Sequence, residues 1–167
     1  MENNIIVKHP QSPSDFQDAK ALILEYVNWL GVHGGPKVKA LLDSQNFDKE
    51  LDTLSTTYSA PDGGLTLALH NNKPVGVAGI KKFSEDICEV KRMFVLPECR
   101  GMGVGKLLLA ECIEIAKDLH YETIKLDTAN FMNSAIKLYI DKGFFEIPPY
   151  RENLHEDAKY FELHLKK

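Results

Sequence analysis

Cysteine is scarce in this chain of 167 residues. Cys88, Cys99 and Cys112 are odd in number and lack C-x-x-C spacing, which excludes a disulfide framework and a zinc knuckle. Histidine is scattered: the six at 9, 33, 70, 120, 155 and 164 form no pair at metal-ligand spacing, so no metal is expected. No apolar run approaches the length of a membrane span. The N-terminus lacks the basic start and apolar core of a secretory signal, so a cytoplasmic location and no membrane partner are expected. A basic excess is missing too. Net charge is −4, which argues against a nucleic-acid partner, and none is expected. No internal repeat or low-complexity tract divides the chain, and residues 1–167 are expected to form one domain.

Glycine, in contrast, is concentrated where it matters. Arg100-Gly101-Met102-Gly103-Val104-Gly105-Lys106 follows the apolar run Met93-Phe94-Val95-Leu96-Pro97 and precedes Leu107-Leu108-Leu109-Ala110. This reads as a strand, a turn stripped of side chains and a helix start. Such a turn lets backbone N–H groups approach a ligand closely. The helix start adds unpaired donors and the positive end of its dipole, a combination that suits a phosphate. It is not a P-loop: Arg100 stands at the required first glycine, and Leu107 at the required Ser or Thr. It is not a dinucleotide fingerprint either, because the third glycine of G-x-G-x-x-G falls on Lys106 or Leu108.

The rest of the chain reads as alternating elements. Ile5-Ile6-Val7 is a short strand. Ser12-Pro13-Ser14-Asp15 starts a helix whose apolar stripe (Phe16, Ala19, Ile23, Tyr26, Val27, Leu30) ends at Gly31. Val32 to Ser44 is expected to be a loop. Phe47, Leu51, Leu54 and Tyr58 mark a second helix, which Pro61-Asp62-Gly63-Gly64 breaks. Two strands flank Asn71-Asn72-Lys73-Pro74, with Gly76 and Gly79 signalling a bulge or close backbone approach. In the strand from Ile87 to Val95, strict alternation puts Glu89, Lys91, Met93 and Val95 on one face and Val90, Arg92 and Phe94 on the other. The charged start of that strand is expected to border a cleft. A helix with the stripe Leu108, Cys112, Ile115 and Leu119 follows the glycine turn. Tyr121 to Leu126 is then a strand that Asp127-Thr128-Ala129-Asn130 leaves. A helix over 134–142 closes at Gly143, and strands at 144–147 and 159–165 complete the chain. This order predicts an α/β (α+β) fold with a mixed sheet of about six or seven strands.

Arg100, Gly103 and Gly105 satisfy the pattern R-x-x-G-x-G. Asn133, Ala135, Leu138-Tyr139 and Lys142-Gly143-Phe144 satisfy N-x-A-x-x-L-Y-x-x-x-G-F, in the right order and separation. With these two motifs the chain resembles the GNAT N-acetyltransferases over roughly residues 65–165. Within that family it is similar to a bacterial subgroup, through Cys88-Glu89-Val90-Lys91-Arg92-Met93, Leu126-Asp127-Thr128, Pro148-Pro149-Tyr150 and Asn153. It departs from that subgroup at Arg151, where a second aromatic is usual. The resemblance implies a GNAT fold with splayed middle strands and acetyl-CoA as co-substrate. It implies cofactor-binding roles for Met93, Phe94, Val95, Arg100, Gly101, Met102, Gly103, Val104, Gly105, Lys106 and Asn133. In the family the pantetheine arm pairs with the splayed strand, here Met93-Phe94-Val95, and the Val95 N–H is placed to polarise the thioester. Side chains at 101, 103 and 105 are expected to obstruct the pyrophosphate.

Acetyl transfer to an amine needs a neutral nitrogen and a proton for the departing thiolate. The resemblance places Glu89 as the base and Tyr139 as the acid. Plainer alternatives are an ion pair of Glu89 with Lys91 or Lys125 and a core tyrosine. Cys99, beside the turn, has no base near it in sequence and is not assigned as a nucleophile. The expected reaction is direct transfer from acetyl-CoA to a primary amine, small-molecule or peptide, in a ternary complex. The expected state is a monomer or homodimer. A non-catalytic acyl-CoA sensor, or a transferase with another acyl donor or acceptor, stays open.

Overall fold

A computed structural model describes residues 4–34, 46–151 and 158–166. One seven-stranded sheet organises them, in the order β1-β2-β3-β4-β5-β7-β6. Its strands are β1 (Ile5–Lys8), β2 (Gly64–His70), β3 (Lys73–Lys82), β4 (Ile87–Val95), β5 (Thr123–Ala129), β6 (Phe145–Ile147) and β7 (Ala158–His164). Every neighbouring pair is antiparallel except β4 and β5. The helices are α1 (Pro13–Gly34), α2 (Phe47–Asp52), α3 (Leu54–Thr57), α4 (Val104–Asp118) and α5 (Asn133–Asp141).

Local chemistry explains most boundaries. Ser12 caps α1: its Oγ accepts from the Asp15 N–H at 3.1 Å while Asp15 Oδ2 accepts from the Ser12 N–H at 3.3 Å. This is a reciprocal cap that satisfies two otherwise orphaned donors. Gly31 does not stop α1, which continues to Gly34. A glycine inside a helix weakens it but does not break it. The remainder of the expected Val32–Ser44 loop lies outside the described residues. The expected second helix is two short ones, because Thr53 leaves the helical region at φ −125°. The β2–β3 hairpin turns on Asn71 and Asn72, both with positive φ, as a two-residue turn of matching twist requires.

Each face of the sheet has its own core. Leu108, Cys112 and Ile115 of α4 pack with Val90, Ile124 and Phe161 on one face. Ala19, Leu22 and Ile23 of α1, with Phe47, Leu54 and Tyr58, pack against Leu67, Val77 and Phe94 on the other. Gly76 and Gly79 serve close approach, one to each face. A Cβ at Gly76 would stand 2.8 Å from Leu108, and one at Gly79 would stand 2.7 Å from the Tyr58 ring.

The strict alternation expected for β4 is broken. Lys91 pairs with Gly79 and Phe94 with Val77, so Arg92 and Met93 together oppose Ala78. Arg92 takes φ 58°, the left-handed backbone of a bulge. The bulge shifts the side-chain phase by one residue. Glu89 and Lys91 therefore share the α1–α3 face with Arg92 and Phe94, while Val90 joins Met93 and Val95 on the α4 face. The buried guanidinium at the bulge is held by α2: Arg92 Nε donates to Glu50 Oε2 at 2.7 Å and stacks over the Phe47 ring. Removing one partner of such a pair strands a charge in the interior. Glu50→Gln is expected to cost about 3–5 kcal/mol in urea unfolding. A loss below about 1 kcal/mol would mean that water already reaches the pair.

Candidate active site

The parallel pair β4–β5 opens part of the way along. Ile87, Cys88 and Glu89 pair with Thr123, Ile124 and Lys125, and pairing then ceases while both strands continue. Beyond Glu89 the β5-facing backbone of β4 is thus left to a ligand, since strand groups must find partners somewhere. Alternate residues of a strand aim their N–H and C=O at opposite edges. The Leu96 N–H donates to Val75 O on the β3 side at 2.9 Å. Val95 therefore turns its N–H and C=O into the split, where Arg100 Nε donates to Val95 O at 3.1 Å.

A cavity of about 420 Å³ runs from this split to the glycine turn. Of the residues expected to bind the cofactor, Met93, Phe94, Val95, Arg100, Gly101, Gly103, Val104, Gly105, Lys106 and Asn133 line it. Met102 does not, because its side chain packs on the core of the α4 face. Gly101 and Gly103 carry φ +83° and +84°, and a Cβ at either would enter open space. Both conformations favour glycine. Gly105 has a different reason to lack a side chain: a Cβ there would lie 3.3 Å from Leu138 and 3.5 Å from Met93. It brings α4 against α5 rather than making room for phosphate.

Trp29, Cys99, Phe131, Met132, Ser134, Ala135 and Leu138, none assigned to the site from sequence, complete the wall. Arg100 stacks on the Trp29 ring at 4.7 Å, tying α1 to the turn. Aromatics at helical spacing look like ordinary core residues, so only this guanidinium contact distinguishes Trp29.

The two expected proton carriers lie apart. Tyr139 of α5 is buried, and its hydroxyl sits 4.0 Å from the sulfur of Met93 at the cavity wall. Burial pushes its phenol well above the ordinary range, so the proton stays on oxygen. Glu89 is also buried, but its partner is neither Lys91 nor Lys125. The Tyr150 hydroxyl donates to Glu89 Oε2 at 2.8 Å, and the Arg151 guanidinium pairs with the same oxygen. Burial pushes the Cys88 and Cys112 thiols up to about 12 and raises Cys99 as well, so none is poised as a thiolate.

On the α1–α3 face a second, polar cavity of about 190 Å³ borders the same split, lined by Glu50, Lys81, Glu89, Lys91, Arg92 and Arg151. One cavity is thus apolar with a nest of backbone donors, and the other is charged. Both border β4, the first along Met93, Phe94 and Val95 and the second along Glu89, Lys91 and Arg92.

Comparison with known proteins agrees. The acetyltransferase (GNAT) family model matches residues 35–144. An uncharacterized N-acetyltransferase of Schizosaccharomyces pombe is 31% identical over 99% of this chain and 98% of its own length. The PaiA N-acetyltransferase of Thermoplasma acidophilum, solved in complex with coenzyme A, shares the fold. Its TM-score is 0.77, with 17% identity and coverage of 97% and 99%. A putative streptothricin acetyltransferase of Bacillus anthracis, in complex with acetyl coenzyme A, is 29% identical over 65% of this chain and 66% of that one, with TM-score 0.56. The chain belongs to the GNAT acetyltransferase family. It is an acyltransferase whose co-substrate is acetyl-CoA, and among the described residues no group of side chains could hold a metal ion.

Proposed function

We propose that this protein transfers an acetyl group from acetyl-CoA to a primary amine by direct attack within a ternary complex. The observation that carries the reading is the split between β4 and β5, with one cavity along the freed part of β4 and a charged one beside its paired part. Bound acetyl-CoA supplies an activated thioester. The residues present fit it. Gly101 and Gly103 expose backbone without side chains at the N-terminus of α4, which receives a pyrophosphate, and Lys106 adds positive charge at the mouth. The Val95 N–H points into the split and polarises the acyl carbonyl.

An amine must lose a proton before it attacks, because an alkyl ammonium has a reference pKa of about 10.4. Glu89 takes that proton. Among the described residues both of its side-chain bonds end on Oε2, which leaves Oε1 for a bridging water. Arg151 and Tyr150 fix the carboxylate in position. Tyr139, protonated at any working pH, donates to the departing sulfur. The single-domain organisation and a monomeric or homodimeric state complete the reading. The test is thiol release from acetyl-CoA across a panel of amines, with calorimetric titration of CoA beside it. CoA binding without thiol release from any amine would favour a sensor role.

A further inference from the structure

The polar cavity contains more cation than its carboxylates use. Glu50 is paired with Arg92 and Glu89 with Arg151, each within contact distance. Lys81 and Lys91 are left over; Lys91 is the buried one, and among the described residues its ammonium makes no ion pair or hydrogen bond. Burial lowers its pKa, as expected for a cation that lacks a close partner.

Across the split stands its opposite. β5 does not end at Leu126 but runs to Ala129, so Asp127 lies within the strand and pairs with Tyr160. Ile124, Leu126 and Thr128 point into the core, which puts Lys125 and Asp127 on the other face. That is the face of the polar cavity, since Lys125 lies over the Tyr150 ring at 4.9 Å and Tyr150 holds Glu89. Asp127 Oδ2 is buried and has no hydrogen-bond partner. In the parallel register Glu89 faces Lys125. Two residues further along, Lys91 and Asp127 occupy facing positions on the two banks of the opening. Their charges act on each other, yet they form no ion pair. A carboxylate oxygen buried without a hydrogen bond, facing a buried lysine whose ammonium has no partner among the described residues, is costly in a folded protein unless a ligand completes the pair.

Building on the acetyl-transfer reading, we propose that the acceptor is a zwitterion, an amine that also carries an acid group as amino acids do. Lys91 receives the acid group and Asp127 receives the amine. The amine is thereby held at the split, beside the Glu89 carboxylate and within reach of the acyl group presented along β4. A ligand with opposite charges a few bonds apart satisfies both banks at once. A diamine would leave Lys91 unmatched and repelled.

The experiment compares free amino acids with their carboxamides as acceptors, by thiol release from acetyl-CoA, in wild type, Lys91→Met and Asp127→Asn. Wild type is expected to prefer acids over amides. Lys91→Met should lower kcat/KM for acids about 10–100-fold, the worth of a charged hydrogen bond, while changing the amide values far less. The acid-to-amide ratio cancels the intrinsic reactivity of each amine, so its collapse in Lys91→Met is the decisive reading. Asp127→Asn should depress acids and amides together. Calorimetric CoA titration of each variant separates loss of the acceptor site from loss of the fold. Acetylation of simple amines or amides in preference to amino acids would overturn this proposal and leave acetyl transfer standing. So would an acid-to-amide ratio that Lys91→Met does not move. Absence of thiol release with every amine would instead remove the transfer reading, and this proposal with it.

Discussion

Gly103→Glu is expected to abolish CoA binding, with an affinity loss beyond about 10³-fold by calorimetry. Two costs add. Gly103 sits at φ +84°, where a side chain is strained by roughly 1–2 kcal/mol. Its Cβ would also project into open space at the start of α4, the position proposed for the pyrophosphate. A carboxylate there sets like charges against each other at a site whose purpose is to attract anions. Gly103→Ala separates the terms, since it carries the strain without the charge, and a much smaller loss is expected. The melting temperature of wild type should rise with CoA, and that of Gly103→Glu should not. Tight CoA binding by Gly103→Glu would move the pyrophosphate away from this turn.

The second large effect concerns proton transfer. Tyr139→Phe removes one hydroxyl from a buried ring and leaves its packing on Phe144 and Phe161 in place. Turnover is expected to fall about 10²–10⁴-fold, the usual contribution of a general acid, with CoA affinity nearly unchanged. Glu89→Gln is expected to cost a similar factor near neutral pH. The loss should shrink as pH rises toward the acceptor's own pKa, because solvent then supplies the neutral amine. A Glu89→Gln defect of equal size at every pH would assign the residue to holding Tyr150 and Arg151 instead. Unaltered turnover in Tyr139→Phe would remove it as the acid. Melting curves of both variants establish that the fold is retained.

What the sequence disclosed, and what it did not, follows from the range of each interaction. The glycine turn, the Asn71-Asn72 hairpin, the Ser12 cap and Gly143 at the end of α5 are set by residues within a few positions of each other, so they could be read directly. The bulge in β4 could not. An arginine in left-handed backbone has no local signature, and its support comes from Glu50, 42 residues earlier in the chain. Alternation without that bulge misplaced Met93 and Val95 relative to Glu89. The partner of Glu89 was likewise hidden, because Arg151 reaches it from a loop 62 positions away, over two nearer lysines. Asp127 looked like a residue leaving its strand because small polar residues follow it. Pairing with β7, invisible to local pattern, carries the strand three residues further.

The one-residue insertion at Arg92 also has an evolutionary meaning. Because it inverts the parity of β4 halfway along, the side chains of residues 89 and 91 and those of residues 93 and 95 lie on opposite surfaces of a single layer, and in the proposed reaction would meet acceptor and donor separately. Exchange of a side chain on the acceptor bank therefore need not disturb the donor bank. A lineage can retain its acyl donor while drifting among acceptors, changing only residues that precede the insertion and the helices that cover them. Deleting that one residue would bring both halves back into phase and turn the donor side chains toward the acceptor.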